Sequence, residues 1–206
     1  TNPQRFDRPQ DALAGADALI ALSSPGPDTV QAAWVSSMAK KAIVFACANP
    51  VPEIWPHTAK EAGAFIVATG RGDFPNQVNN SVCFPGILKG ALLCRASAIS
   101  DGMAIACAHS LSRYAQDRPL GIRPDSIMPQ MEDDGLFPRQ AADVAKAARA
   151  EGLARSTVTD EQVYQQAATD IAQARSLFRN LMDDGLIATP PAGMLKEALD
   201  YALAQG

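Results

Sequence analysis

Ala42-Ile43-Val44-Phe45-Ala46-Cys47-Ala48-Asn49-Pro50-Val51-Pro52-Glu53 is the stretch from which the fold can be read. It opens as an unbroken apolar run and turns abruptly into a polar loop punctuated by proline. An apolar run without alternation suits a strand buried on both faces of a parallel sheet. Two similar runs flank it, Ala18-Leu19-Ile20-Ala21-Leu22 before and Phe65-Ile66-Val67-Ala68 after. Between them lie helical stretches over residues 29–39 and 58–62, with Asp28 and Pro56 as start signals and Gly63 as a stop. Strand, helix, strand, helix, strand predicts an α/β chain. Its architecture is a three-layer, Rossmann-like parallel sheet, distal half only, followed by C-terminal helices.

Ligands of open α/β sheets sit outside the carboxyl ends of the strands. The loops there are Ser23-Ser24-Pro25-Gly26, Asn49-Pro50-Val51-Pro52-Glu53 and Thr69-Gly70-Arg71. The first half of a nucleotide-binding domain is missing: no G-x-G-x-x-G occurs, no strand signal precedes residue 18, and the chain opens on Thr1. A fragment of a larger polypeptide, or a chain trimmed to its ordered remainder, is therefore expected. Past residue 85 the periodicity is helical, over Pro85–Leu93, Gly102–Tyr114 and Pro138–Glu151, with an extended connector at Pro124–Pro129. Thr159 and Gln162 form a capping-box pattern. The helix it opens carries Val163, Ala167, Ile171, Ala174, Phe178 and Leu181 on one stripe, and Asp183-Asp184-Gly185 terminates it. A short amphipathic helix ends the chain. The expected divisions are residues 1–95 for the distal half of the nucleotide-binding domain, 96–155 for helices completing it, and 156–206 for a helical extension.

Composition narrows the function classes. A chain of 206 residues with 47% hydrophobic content can bury a substantial core. The net charge of −4 and the lack of any Lys/Arg block argue against nucleic acid as a partner. No apolar run spans a bilayer and the start lacks a signal-peptide layout, so a cytoplasmic, membrane-free protein is expected. Cys47, Cys83, Cys94 and Cys107 form no CxxC pair and read as buried, reduced thiols.

The densest cluster of polar side chains follows the third apolar run. Thr69-Gly70 permits close backbone approach, and Arg71, Asp73, Asn76, Gln77, Asn79 and Asn80 come before Phe84-Pro85-Gly86. Neutral amides offer donors and an acceptor without charge, which suits a carboxylate or a carboxamide. A plain surface turn uses the same residue types.

Two long motifs distinguish these readings. Ile43 to Ile54 resembles the strand followed by A-N-P-x-P-E of malic enzymes. Val67 to Gly90, V-A-T-G-R-G-D-F-P-N-Q-V-N-N-S-V-C-F-P-G-I-L-K-G, resembles the next motif of the bacterial members. Ser23-Ser24-Pro25-Gly26 is similar to the family's V-S-x-P-G segment one strand earlier. The resemblance covers roughly residues 9 to 155. Gly72, Ser81 and Ala21 depart from the usual Ser, apolar residue and Gly, and no asparagine is lost.

The resemblance implies oxidative decarboxylation of L-malate to pyruvate and CO2 with NAD or NADP and with Mg2+ or Mn2+. It implies that Asn49 and Asn80 contact substrate and nicotinamide, that Asn79 sits beside them against the cofactor, and that Ser23, Ser24, Pro25 and Gly26 border it. The family's general-acid Tyr, general-base Lys and three acidic metal ligands all precede this chain. No catalytic or metal-binding residue is therefore assigned here, and the chain alone is expected to be inactive, as part of a homo-oligomer. The alternative is a non-catalytic nucleotide-binding or regulatory module of Rossmann type. Glu132-Asp133-Asp134 reads as an N-terminal helix cap in preference to a metal cluster. His109 reads as a buried or interfacial structural histidine. Arg71 with Asp73 reads as a loop-shaping ion pair.

Overall fold

Each apolar run forms a strand. In the computed structural model, which describes residues 6–188 and 190–205, β1 (Ala18–Ala21), β2 (Ile43–Ala46) and β3 (Ile66–Thr69) pair in parallel in that order. Ala18 lies beside Ile43 and Ile43 beside Ile66, while Ala21 lies beside Ala46 and Ala46 beside Thr69. One face is closed by Val35, Ile54 and Ala59, which join Val44, Ala46 and Val67 in the sheet core. The expected burial of β1 on both faces does not hold: Ile20 is 66% exposed. Among the described residues β1 has β2 on one side only, and its Ile20 face is uncovered. A continuous apolar run reports hydrophobicity, not the presence of a covering layer.

The short helices on the sheet are α1 (Pro9–Leu13), α2 (Ala32–Ser36) and α3 (Pro56–Glu61). Asp28 does not start α2, whose N-cap is Gln31. The Gly26 carbonyl takes the Thr29 N–H at 3.1 Å, and the Glu53 carbonyl takes that of Val30 at 2.9 Å. The backbone at residues 29–30 is thus committed to a turn and a cross-loop bond before a helix can begin. Pro56 opens α3 as expected, its fixed φ suiting the first turn.

The helical layer comprises α4 (Phe84–Leu93), α5 (Asp101–Asp117), α6 (Leu136–Ala150), α7 (Asp160–Asp183) and α8 (Met194–Gln205). α6 is the hub, with α4, α5 and α7 packed around it. Its contacts are small: Ala141, Val144, Ala145 and Ala148 meet Cys94, Met103, Cys107, Val163 and Ala167. The α4–α6 approach depends on two glycines. A Cβ on Gly90 would lie 2.5 Å from the Ala141 carbonyl oxygen, and one on Gly86 would collide with Gln140. The capping box on α7 is complete, Gln162 N–H donating to Thr159 Oγ1 at 3.2 Å and Thr159 N–H to Gln162 Oε1 at 2.9 Å. The apolar stripe of α7 is divided. Val163 and Ala167 are buried, whereas Ala174 and Phe178 face outward. No helix among the described residues is long and apolar enough to cross a membrane.

Gly90→Ala is expected to lower the thermal and urea unfolding midpoints. Overpacking costs about 1–3 kcal/mol, against at most about 1 kcal/mol gained in helix propensity. An unchanged or raised midpoint would show that α4 and α6 can separate freely.

Candidate functional site

The loops after β1 and β2 are joined by one carboxylate. Glu53 has no solvent exposure. Its Oε1 accepts from the Ser23 backbone N–H at 2.8 Å and from Ser23 Oγ at 3.2 Å, and its Oε2 accepts from the Ala48 N–H at 2.9 Å. Burial pushes the Glu53 carboxyl up, but the bonds from Ser23 and Ala48 together outweigh it and hold the group below the usual glutamate range. Burial and the Glu53 charge push the neighbouring Cys47 thiol up. In front of this clasp Ser23, Ser24 and Pro25 are exposed, and Gly26 takes a φ of +145° that favours glycine. The Thr29 hydroxyl donates to the Ser24 carbonyl at 3.2 Å, closing the loop.

Glu53 is the site residue that sequence reasoning missed. The available signal was an acidic residue between Pro52 and the apolar Ile54, where a solvated carboxylate is out of place.

Asn49 is exposed and its side chain makes no hydrogen bond with the described residues. It precedes a cis peptide bond to Pro50. The Pro50 carbonyl accepts from Arg71 Nη1 at 2.8 Å, tying the β2 loop to the β3 loop. Arg71 also holds Asp73 through two contacts, 2.8 Å from Nε and 2.6 Å from Nη2, and lies over the Trp55 and Phe74 rings. Arg71 shapes the loop, as its pairing with Asp73 suggested.

The asparagines of the third motif divide by use. Asn76 is buried at a positive φ of 59°, and its side chain is saturated. Nδ2 donates to the Val67 and Pro124 carbonyls at 3.0 and 2.8 Å, and Oδ1 accepts from Ile127 N–H at 2.8 Å. Asn76 is thus a brace between β3 and the 124–127 connector, not a free ligand contact. Asn79 donates to the Gly70 carbonyl at 3.2 Å and accepts from Ser81 N–H at 2.9 Å, capping a 3-10 turn over Asn80–Val82. Asn80 is exposed, with no hydrogen bond from its side chain to the described residues. Gly70 is less crowded than its place in the motif suggested, since a Cβ there would make ordinary contact with the Cys47 carbonyl at 3.6 Å.

A cavity of about 440 Å3 lies between Gly72–Gln77 and Asp125–Glu132. Ser23, Ser24, Pro25, Gly26, Asn49, Asn79 and Asn80 do not line it. The loops at the strand ends are exposed at Ser23–Pro25 and at Asn49, and the Glu53 charge beneath them is already answered by three donors. Among the described residues no group of three or more His, Cys, Asp or Glu side chains is placed to hold a metal ion. The acidic run 132–134 does not cap α6: the N-cap is Gly135, without a side-chain cap. Asp133 accepts from Gln130 N–H at 3.1 Å and Asp134 pairs with Arg175, because α6 begins two residues earlier than Pro138 suggested. His109 is exposed in the single chain, which overturns the buried half of the expectation, because α5 turns Cys107 and Ser110 inward instead.

All four cysteines are free, and Cys47 and Cys83 are only half-buried. Cys107 Sγ lies 3.7 Å from the Cys83 carbonyl. A hydrogen bond from the Cys107 thiol brings Cys83 down to about 7, and the same bond, with burial, pushes Cys107 up.

Two outcomes follow from this geometry. A folded-state pKa below the unfolded value of about 4.3 makes the Glu53 contribution fully present above that value, and it is lost as pH falls through the folded pKa. Glu53→Gln turns one acceptor into a donor facing Ser23 or Ala48 N–H. The variant is expected to lose about 2 kcal/mol at pH 7 and to show a shallower acid loss of stability below about pH 4. Equal pH–stability curves for both proteins would contradict the clasp. Cys83 is expected to react with iodoacetamide at pH 7 at least tenfold faster than Cys107, with Cys107→Ala slowing it; mass mapping of the labelled sites reads this out.

Residues 16–149 match the family model described as malic enzyme, NAD binding domain. The chain is 44% identical over 167 residues to the bifunctional malic/malolactic enzyme of Bacillus subtilis, covering 81% of this chain and 40% of that protein. A crystal structure of Entamoeba histolytica malic enzyme matches with a TM-score of 0.96 at 55% identity, covering 100% of this chain and 42% of that one. The malic enzyme of Pyrococcus horikoshii matches with a TM-score of 0.78 at 41% identity, covering 85% of this chain and 40% of that one. Curated relatives include NAD-dependent and NADP-dependent malic enzymes. The chain spans about two fifths or less of the length of these curated relatives. With its strand order, its loop motifs and a family match over most of its length in agreement, this chain belongs to the malic enzyme family and carries that family's NAD-binding domain.

Proposed function

We propose that this chain forms the cofactor-facing wall of an NAD(P)-dependent malic enzyme that converts L-malate to pyruvate and CO2. The observation that supports it is the state of two side chains. Asn49 and Asn80 are exposed and unengaged on loops whose neighbours Glu53, Arg71, Asn76 and Asn79 are fully employed in holding them. Hydride transfer requires the hydroxyl carbon of the substrate to be held close to the nicotinamide ring. Neutral amides orient both partners without pinning a ring whose charge changes during reaction. In this reading Asn49 contacts substrate and nicotinamide, Asn80 contacts substrate, and Asn79 borders the cofactor while capping its own turn. Ser23, Ser24, Pro25 and Gly26 present backbone groups to NAD or NADP.

The Mg2+ or Mn2+ ion and the acid–base pair belong, in this proposal, to the portion of the enzyme outside these residues. The chain alone then binds nucleotide weakly and does not turn over malate. Residues 1–95 supply the nucleotide-binding half-sheet, 96–155 the helices that complete it, and 156–206 a C-terminal helical extension. The enzyme acts as a homo-oligomer in the cytoplasm, a compartment that suits four unpaired thiols.

In the intact enzyme, Asn80→Ala is expected to raise the malate KM or lower kcat at least tenfold, about 1.4 kcal/mol or more of transition-state stabilisation. Unaltered steady-state kinetics in that variant would remove Asn80 from the site. A full-length protein that binds NAD(P) but never oxidises malate would instead identify a non-catalytic module.

A further inference from the structure

We propose that Cys83 and Cys107 form an oxidation site, at which a hydroperoxide oxidises Cys83 and Cys107 then closes a disulfide that ties the Asn80 turn to α5. The two thiols come from elements that lie apart in sequence. Cys83 joins the 3-10 turn Asn80–Val82 to α4, and Cys107 lies within α5. Cys107 belongs to the core of the helical layer, and Cys83 packs against that core. Cys107 Sγ lies 3.7 Å from the Cys83 carbonyl, and the two thiols hydrogen-bond to each other.

Exposure gives them different parts. Cys107 has no solvent exposure, whereas Cys83 is half-buried, so a small oxidant meets Cys83 first. Peroxide is attacked by thiolate. The hydrogen bond from Cys107 brings Cys83 down to about 7, and a place at the N-cap of the ten-residue α4 favours negative charge in the same sense. The other two thiols are unsuited. Burial and the Glu53 charge push Cys47 up, and Cys94 is buried and donates to the Ala91 carbonyl at 3.6 Å.

The chemistry takes two displacements. The Cys83 thiolate sulfur attacks one oxygen of ROOH; an S–O bond forms, the O–O bond breaks, and the departing alkoxide takes up a proton to leave as ROH. Cys83 is then a sulfenic acid. The Cys107 sulfur attacks the Cys83 sulfur; the S–S bond forms, the S–O bond breaks, and hydroxide leaves with the Cys107 proton as water. Together the two thiols lose two electrons and two protons, and the hydroperoxide is reduced to alcohol and water. The hydrogen bond to Cys83, burial, and the charges of Cys83 and Asp143 hold the proton on Cys107 beforehand. Conversion of Cys83 to a neutral sulfenic acid removes the Cys83 charge, so the first displacement prepares the second.

The Cys83 N–H donates to the Asn80 carbonyl at 3.0 Å, so Cys83 closes the turn that presents Asn80. A disulfide holds two sulfurs closer than a thiol–thiol hydrogen bond does, which draws that end of the turn toward α5. In a reducing compartment such a bond is transient and suits redox sensing.

The test uses the full-length polypeptide that carries this chain, treated with hydrogen peroxide and digested without reductant. Mass mapping is expected to find the Cys83 and Cys107 peptides linked, and dithiothreitol to separate them. Cys107→Ala is expected to leave Cys83 as a sulfenic acid that dimedone captures, and Cys83→Ser to abolish both products. Absence of the linked pair in the wild-type protein, or equal linkage through Cys47 or Cys94, overturns the inference. The kinetic consequence rests on the reading of Asn80 as a substrate contact. The oxidised protein is expected to lose at least tenfold in kcat/KM for malate, restored by dithiothreitol, since a misplacement of about 1 Å costs up to about 100-fold. Linkage without that loss, where Asn80→Ala itself lowers kcat/KM, overturns the coupling of the thiols to the site. Where Asn80→Ala is also without effect, the reading of Asn80 fails and the oxidation site stands.

Discussion

A carboxylate without access to water is stable in a protein interior only when its lone pairs are answered. Glu53 meets that condition with donors from two different loops, Ser23 after β1 and Ala48 after β2. Its backbone carbonyl takes a further donor, the Val30 N–H, which delays the start of α2. One residue therefore sets the spacing of two strand ends and the entry to the helix between them. The exposed groups at Ser23–Gly26 and at Asn49 sit on the outer side of that clasp, so their positions are inherited from a bond network they do not join, apart from Ser23 itself.

The third loop is held from the helical layer as well as from the sheet. Asn76 spans β3 and the 124–127 connector, and Arg71 reaches back to Pro50. Val82, at the end of the turn that Asn79 caps, packs with Leu136 and Phe137 of α6, and its carbonyl accepts from the buried Gln140 side chain at 2.8 Å. The position of Asn80 thus depends on how closely α4 approaches α6, which Gly86 and Gly90 permit. Packing within the helical layer and amide placement at the strand ends are one problem, since the same short turn carries both.

Much of this was legible in the chain itself. Three unbroken apolar runs ending in Ser/Pro/Gly, Asn/Pro and Thr/Gly loops specify a parallel sheet with a ligand edge, because local hydrophobicity and turn chemistry are short-range properties. The Thr159–Gln162 box and the Asp183-Asp184-Gly185 stop were equally local. The motifs around Asn49 and Asn80 were specific enough to indicate the family.

What required the tertiary structure were questions of which surface meets which. The chain shows four asparagines in the second and third motifs, Asn49, Asn76, Asn79 and Asn80, but their division into braces and free groups depends on carbonyls up to 48 residues away. Glu53 as a clasp, Asp134 as the partner of Arg175, the exposure of His109 and the bare face of β1 are likewise set by neighbours distant in sequence. The stripe on α7 is the clearest case. Its apolar spacing is uniform from Val163 to Leu181, yet it is core only as far as α6 extends, because periodicity defines a face and a second element must bury it.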